Sequence, residues 1–515
     1  MDENKGDKAP TQRKPGQGAS SRRWVLPVAA ALVVIVALAI GLNVGGVRER
    51  LLGGGAPPIK SIAVLPFENL SRDPAQDYFA KGMRRELVGD MQQIGGWRMI
   101  APASLAQYRR APKPLPEIAR ELNLDAVVEG SVLLAGDRVR LTVKLTHAPT
   151  DRRLWAQTYE RDLRDVRNLQ AEVLRAVARE IKVTLTPQED ALFSRPRPVN
   201  PQAQDALLRG LGEGDPIKAE KLLKQAIELD PAYDKAYDHL ADIYQMLNMY
   251  PTFAPQETYP KAKEAAQKAV SLDPTLAVPH RTLGSAALEY DWDFVEAEKE
   301  FRRAIELVPN GPWTHDAYAH FLLSMGRMDE ARTESRRAME VDPADPDLMA
   351  CVSWHDIADG NYEEAEKRAS QALSLGAADP LARLTLGWSY ALRGRHDEAI
   401  AEFQKAVVGW QNAVFPTAAL GHAYAVAGKE DAAREVLNGL LARSKKEYVS
   451  PYEIAVIYAG LGDKDRAFDW LEKAYEERSN ALARFRMDPR IWSLRSDSRF
   501  QDLLRRMNFP PDRRN

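Results

Sequence analysis

Residues 360–407, GNYEEAEKRASQALSLGAADPLARLTLGWSYALRGRHDEAIAEFQKAV, decide how this chain is built. Ala365 and Ala372 stand seven apart, and Ala399 and Ala406 repeat the pair 34 residues later. Between them Gly387 and Tyr390 lie in an apolar stretch with helical spacing. Alanine recurs in the same way at 219, 262, 297, 331, 365, 399, 433 and 467, at intervals of 43, 35 and then 34 throughout. Seven residues after each comes Ala226, Ala269, Ala304, Ala338, Ala372, Ala406, Leu440 or Ala474. A fixed period of this length marks stacked units, none of which buries its apolar face alone. Small residues are required where paired helices approach closely and a larger side chain would overpack the contact. Pro231, Pro274, Pro309 and Pro343 follow four of the units, where a second helix must end.

This period resembles the tetratricopeptide repeat family, with about eight units over 200–481 and nine extra residues around Met249–Tyr259. The fold expected here is an all-α solenoid, closed by the amphipathic segment DPRIWSLRSDSRFQDLLRRM within a capping region and tail at 482–515. The resemblance implies a concave wall lined by the first helix of each unit. Carried over unit by unit, the lining is Lys235, Asp238, Asp242 and Gln245, then Arg281 and Ser285, then Trp313, Asp316 and His320, then Trp354, Trp388, Phe415, His422 and Tyr452. Aromatics amid isolated charges suit an extended or helical peptide, so protein or peptide partners are expected in this groove. The Lys/Asn pattern by which chaperone-binding members hold a terminal carboxylate is not present in this sequence.

Upstream, residues 59–186 read as a small α/β domain, and 187–199 as a linker. Ile62–Phe67 is a short apolar run closed by turn-prone residues, the pattern of a buried strand. Val139, Leu141, Val143 and Leu145 alternate with polar residues after the hairpin turn at Ala135-Gly136-Asp137. The expected order is β-α-β-α-β-β-β-α with a mixed sheet. The segments SIAVLPFENLSRDPAQDYFAKGM, EIARELNLDAVVEGSVLLAGDRVRLTVKL and RRLWAQTYERDL resemble the TolB amino-terminal-like family of bacterial envelope proteins. That resemblance implies an extracytoplasmic domain that docks proteins or regulates an attached module, and it carries no catalytic residues. In chains of this layout an output domain such as a cyclase, a kinase or a winged helix often precedes a membrane helix. Only 23 residues precede the apolar segment here, so no such domain is expected.

Residues 1–23 have the composition of a disordered basic tail, and 47–58 of a linker. Between them 24–46 read as a transmembrane helix, because Val25–Val44 carries no charge and is long enough for a hydrocarbon layer of about 30 Å. Lys5, Lys8, Arg13, Lys14, Arg22 and Arg23 precede it, which places the N-terminus in the cytoplasm. The expected localisation is therefore a bacterial inner membrane, single-pass through residues 25–44, with the bulk of the chain periplasmic.

The 515 residues hold 71 Lys plus Arg against 73 Asp plus Glu, a balance that offers no general field for nucleic acid. The single Cys351 excludes an intrachain disulfide and thiolate metal clusters. No phosphate loop, no His-Glu-x-x-His helix and no Gly-x-Ser-x-Gly elbow occurs. Gly210–Gly214 fits a loop before Pro216, and His315 and His320, five apart, fall on different helical faces. No enzyme activity, cofactor or metal is expected. The function expected is a membrane-anchored, non-enzymatic protein-binding scaffold of the cell envelope; the alternative is a sensory or regulatory subunit of a transmembrane signalling assembly.

Overall fold

The computed structural model describes residues 59–511, apart from 72, 101–103, 106–107, 109–112, 194–196, 249–252 and 376–379. The described residues cluster as one compact unit.

The chain enters a sheet at β1 (Ser61–Val64) and continues through a two-residue strand β2 (Glu68–Asn69) into α1 (Asp77–Gln92). Then come β3 (Arg98–Ile100), α2 (Leu115–Leu122), and three long strands, β4 (Ala126–Ala135), β5 (Arg138–His147) and β6 (Arg152–Asp162), before α3 (Val166–Glu180). The order across the sheet is β3-β1-β4-β5-β6, with β2 beside β4. The interior strand β1 runs parallel to β3 and β4, whereas β4, β5 and β6 form an antiparallel meander. All four residues of β1 are buried, because it is covered on both faces. Ile62 and Val64 join the core under α1 and α3, and Ala63 joins a second core with Leu122 of α2.

A short helix, α4 (Pro187–Leu192), opens with a capping box between Thr186 and Glu189. Eight helix pairs follow among the described residues. The first three are α5 (Pro201–Gly212) with α6 (Pro216–Leu229), α7 (Asp234–Leu247) with α8 (Pro255–Leu272), and α9 (Ala277–Ala286) with α10 (Phe294–Leu307), a π-helical turn over Ala287–Asp291 extending α9. The next three are α11 (Pro312–Ser324) with α12 (Met328–Val341), α13 (Pro346–Ala358) with α14 (Tyr362–Ser374), and α15 (Pro380–Leu392) with α16 (His396–Gly409). The last two are α17 (Val414–Val426) with α18 (Glu430–Arg443) and α19 (Pro451–Gly460) with α20 (Lys464–Glu476). Two 3₁₀ segments, Asn480–Arg484 and Pro489–Leu494, and a final helix α21 (Ser498–Arg506) complete the described chain.

The periodic alanines are buried: Ala297, Ala365, Ala399, Ala433 and Ala467 are 0% exposed and Ala331 1%. A second period accompanies them. Gly326, Gly360, Gly394, Gly428 and Gly462 all take positive φ in the turn between the helices of a pair, a conformation costly for any residue with a Cβ.

The first pairs are continuous with the sheet's core. Leu207 and Leu208 of α5 pack into the cluster that holds Phe79 and Met83 of α1. Gly82 permits this approach, since a Cβ there would sit 2.8 Å from the Leu208 carbonyl oxygen.

The fold class read from the sequence needs one correction. Among the described residues no helix is long and apolar enough to cross a membrane. The longest, α8, has 18 residues and carries Glu257, Lys261, Lys263, Glu264 and Lys268. Five charges inside that length are too costly to place in hydrocarbon. The segment expected to span, 24–46, lies outside the described residues. Among the described residues the architecture is thus an α/β domain continuous with a helical solenoid, without a spanning helix, and the inner-membrane, single-pass localisation expected from the sequence finds no helix there to carry it.

Candidate functional site: the inner wall of the repeats

The first helices of successive pairs lie side by side, and the residues expected on the concave wall form a continuous strip along them. Asp242 of α7 accepts a hydrogen bond from Arg281 of α9 at 2.7 Å, and Gln245 donates to Ser285 at 2.9 Å. His320 of α11 and His355 of α13 stand 6.0 Å apart, Trp354 and Trp388 4.9 Å, and Trp388 and Phe415 5.5 Å between ring centres. Residues far apart in sequence thus meet because each unit repeats the same face.

Both ends of the strip are covered by the chain itself. At the first end α1 lies against α7. The Lys235 ammonium donates to Asp90 at 3.0 Å and stands 3.9 Å from Glu86. His239 pairs with Glu86 at 2.6 Å, and Arg85 reaches Asp242 at 3.6 Å. Arg167 of α3 makes a two-pronged bond to Asp234, both contacts 2.9 Å. Burial alone would raise the Glu86 carboxyl, but Lys235 and His239 hold it down at about 2. The Lys235 ammonium is held charged well above its ordinary value by Asp90 and Glu86, against the opposing effect of burial. The α/β domain also grips loops further along: Asn310 donates to the Trp97 carbonyl at 2.8 Å, Arg98 donates to the Glu340 carbonyl at 3.0 Å, and Ser104 pairs with Asp342.

At the other end the 3₁₀ segments after α20 fill the wall. The Arg490 guanidinium lies 5.4 Å from the ring centres of Trp388 and Phe415, and 6.0 Å from that of Tyr452. It donates to Glu453 at 2.8 Å and to Asp488 at 2.7 Å, with all three side chains at most 4% exposed. Tyr452 donates its hydroxyl to Asp488 at 2.9 Å. His422 meets the Arg490 carbonyl oxygen at 3.1 Å, and Arg484 lies 5.1 Å from the Phe415 ring. Burial depresses His422 to about 4, so its ring is neutral at neutral pH. The array also closes on itself here: Trp292 stacks on Tyr475 at 5.0 Å and Arg478 donates to the Tyr290 carbonyl at 2.6 Å.

Between these two covers lies a central stretch of wall with unpaired polar atoms. Trp313 is 37% exposed and is the only exposed aromatic among the described residues. One carboxylate oxygen of Asp316 is buried there without a hydrogen-bond partner, as is the Trp354 indole nitrogen; Asp238 and Trp388, under the two covers, each bury one such atom as well. Burial raises Asp316 to about 7 and Asp238 to about 6. It lowers His320 to about 4 and His355 to about 3. The wall here is therefore uncharged or easily neutralised, unlike the ion-paired first end.

Several residues that matter were not singled out in the sequence. Glu86, Asp90 and Arg490 lie in elements remote in sequence from the wall residues they meet. His280 pairs with Glu300 at 2.6 Å and with the Pro274 carbonyl at 3.4 Å; His315 repeats this with Glu334 at 2.6 Å and Pro309 at 3.0 Å. The 35-residue spacing of His280 and His315, with a glutamate 20 or 19 residues after each, was the available signal. The pairs tie the first helix to the second and to the preceding loop, so His315 is structural. Among the described residues no group of His, Cys, Asp and Glu could hold a metal ion.

This geometry is that of a helical-repeat scaffold, and comparison agrees. Residues 354–414 match the tetratricopeptide repeat family, as do 315–345 and 452–480. The chain carries tetratricopeptide repeats, which are in general non-catalytic modules of protein interaction. A protein of Rhizobium meliloti (strain 1021) named putative adenylate cyclase 3 is 32% identical over 244 residues, 46% of this chain. The chain spans 41% of the length of that relative. PilF of Pseudomonas aeruginosa shares 17% identity at a TM-score of 0.32, covering 42% of this chain and 94% of its own. The human IFIT1 dimer with PPP-AAAA shares 16% identity at a TM-score of 0.37, covering 60% of this chain and 77% of its own.

Proposed function

We propose that this protein is a non-catalytic scaffold that binds a protein partner on the central stretch of its concave wall, around Trp313, Asp316, His320 and Trp354. The observation that carries this reading is the exposed indole of Trp313 beside buried polar atoms without partners, between two lengths of wall already covered by the protein's own segments. Aromatic anchors of this kind commonly dominate a protein interface. The remaining groove residues, Lys235, Asp242, Arg281, Trp388, His422 and Tyr452, serve in this reading to hold the α/β domain and the C-terminal segment in place. The α/β domain, with its resemblance to the TolB amino-terminal-like family, is proposed as a docking or regulatory module fixed to the repeats.

The experiment is site-specific photocrosslinking in intact cells, with the crosslinker at Trp313 and, as comparison, at the exposed Val408. A partner captured from position 313 and not from 408 supports the reading. Equal recovery from both positions, or none from 313, refutes it. A second reading, a regulatory module within a signalling protein, is favoured by the similarity to a relative named as an adenylate cyclase.

A further inference from the structure

Five repeats place a large side chain against the facing helices, four residues after the periodic alanine. That residue is Leu223, Phe301, Phe403, Leu437 or Leu471, each at most 4% exposed, whereas two units carry Ala266 and Ala369 there. Phe301 and Phe403 press on the glycine of the facing first helix, where an added Cβ would stand 3.0 Å and 2.6 Å from the ring. The corresponding residue of α12 is Ser335. Beside this small side chain lies a cavity of about 230 Å³ between α12 and α13. Leu323, Ala331, Met339 and Val352 supply its apolar surface.

The polar residues around the cavity are not equivalent. Arg332 is paired with Asp359 at 2.6 Å, and Arg368 with Asp356 at 2.8 Å. Ser335 and His355 satisfy each other at 2.9 Å, and burial keeps His355 neutral. Arg336 also lines the cavity, is exposed, and has no hydrogen bond or ion pair among the described residues. One uncompensated guanidinium beside an apolar hole the size of an aromatic side chain is complementary to a ring joined to a carboxylate.

We propose that the cavity between α12 and α13 is a binding site for an aromatic carboxylate, with the ring in the space left by Ser335 and the carboxylate on Arg336. The chemistry is shared by a free aromatic acid and by the C-terminal phenylalanine of a peptide. The site is separate from Trp313, so it stands or falls independently of the reading above.

The test is isothermal titration calorimetry on the full chain with three probes: 3-phenylpropionate, its neutral amide, and N-acetyl-Gly-Phe. One saturable site for the acid is expected, with the amide at least about tenfold weaker. Ser335→Phe, which puts into the cavity the ring that Phe301 and Phe403 carry at this position, should abolish binding. Arg336→Gln, on the surface and unpaired, should keep the fold and weaken binding by about tenfold. Circular dichroism melting checks that both variants fold; if Ser335→Phe does not, Arg336→Gln and the amide decide alone. Tighter binding of the peptide assigns the site to a partner's C-terminus, and equal or tighter binding of 3-phenylpropionate to a small acid. No binding of either acid up to about 10 mM, an amide as tight as the acid, or a folded Ser335→Phe that binds like wild type overturns the proposal.

Discussion

Replacing glycine by alanine at two helical positions of this array should move stability in opposite directions. In a helix interior the substitution gains about 1 kcal/mol from backbone entropy alone. At Gly439 in α18 nothing lies within 4 Å of the new Cβ, so that gain should be realised in full. At Gly387 in α15 the Cβ would meet three atoms of the Phe403 ring at 2.6, 2.9 and 2.9 Å. Phe403 is 1% exposed and packed 6.1 Å from the Trp388 ring, so it cannot swing away cheaply. Overpacking of this kind costs about 1–3 kcal/mol, and contacts as short as 2.6 Å put it in the upper part of that range, so after the entropic gain Gly387→Ala should be up to about 2 kcal/mol less stable. The assay is urea unfolding of the full chain followed by circular dichroism, comparing midpoints at constant slope. Adding Phe403→Leu to Gly387→Ala should recover part of the loss, a coupling that Phe403→Leu with Gly439→Ala should lack. If both alanine variants shift the midpoint the same way, the close approach of α15 and α16 is not what requires glycine there.

Two further perturbations probe the covered ends and the central wall. Arg490→Met removes the buried cation between Asp488 and Glu453, leaving them only the Tyr452 hydroxyl and Arg484 at 3.7 Å, and should destabilise the C-terminal half by about 3–5 kcal/mol; combining it with Asp488→Asn and Glu453→Gln should restore most of that, read by melting temperature. Asp316 has a folded pKa raised by burial from the ordinary aspartate value to about 7, so the folded state binds its proton more tightly and stability from this group is lost as pH rises through that range. The advantage of Asp316→Asn over wild type should therefore grow by about 2–3 kcal/mol between pH 5 and pH 8, measured by urea unfolding at both values; an unchanged difference across that range refutes a perturbed Asp316.

The repeat architecture was legible in the sequence because its cause is local. Each unit must bury small residues at the same two positions to bring its helices together, so Ala331, Ala365 and Ala399 announce the 34-residue period wherever the solenoid goes. The meander of β4, β5 and β6 was legible for a similar reason, since Val139, Leu141, Val143 and Leu145 face one core by alternation. Whether the wall is open could not be read this way. Lys235 meets Asp90 across 145 residues, and His422 meets Arg490 across 68. Those contacts depend on how the units curve and on which segment folds back, properties of the whole array and not of any one repeat. A family position such as that of Trp388 or Tyr452 identifies a residue that faces inward; only the tertiary structure shows an arginine of the same chain already lying against it. The cavity at Ser335 belongs to the same class. A serine four residues after a periodic alanine is unremarked in sequence, and the space beside it exists only because of how α12 and α13 are set against each other.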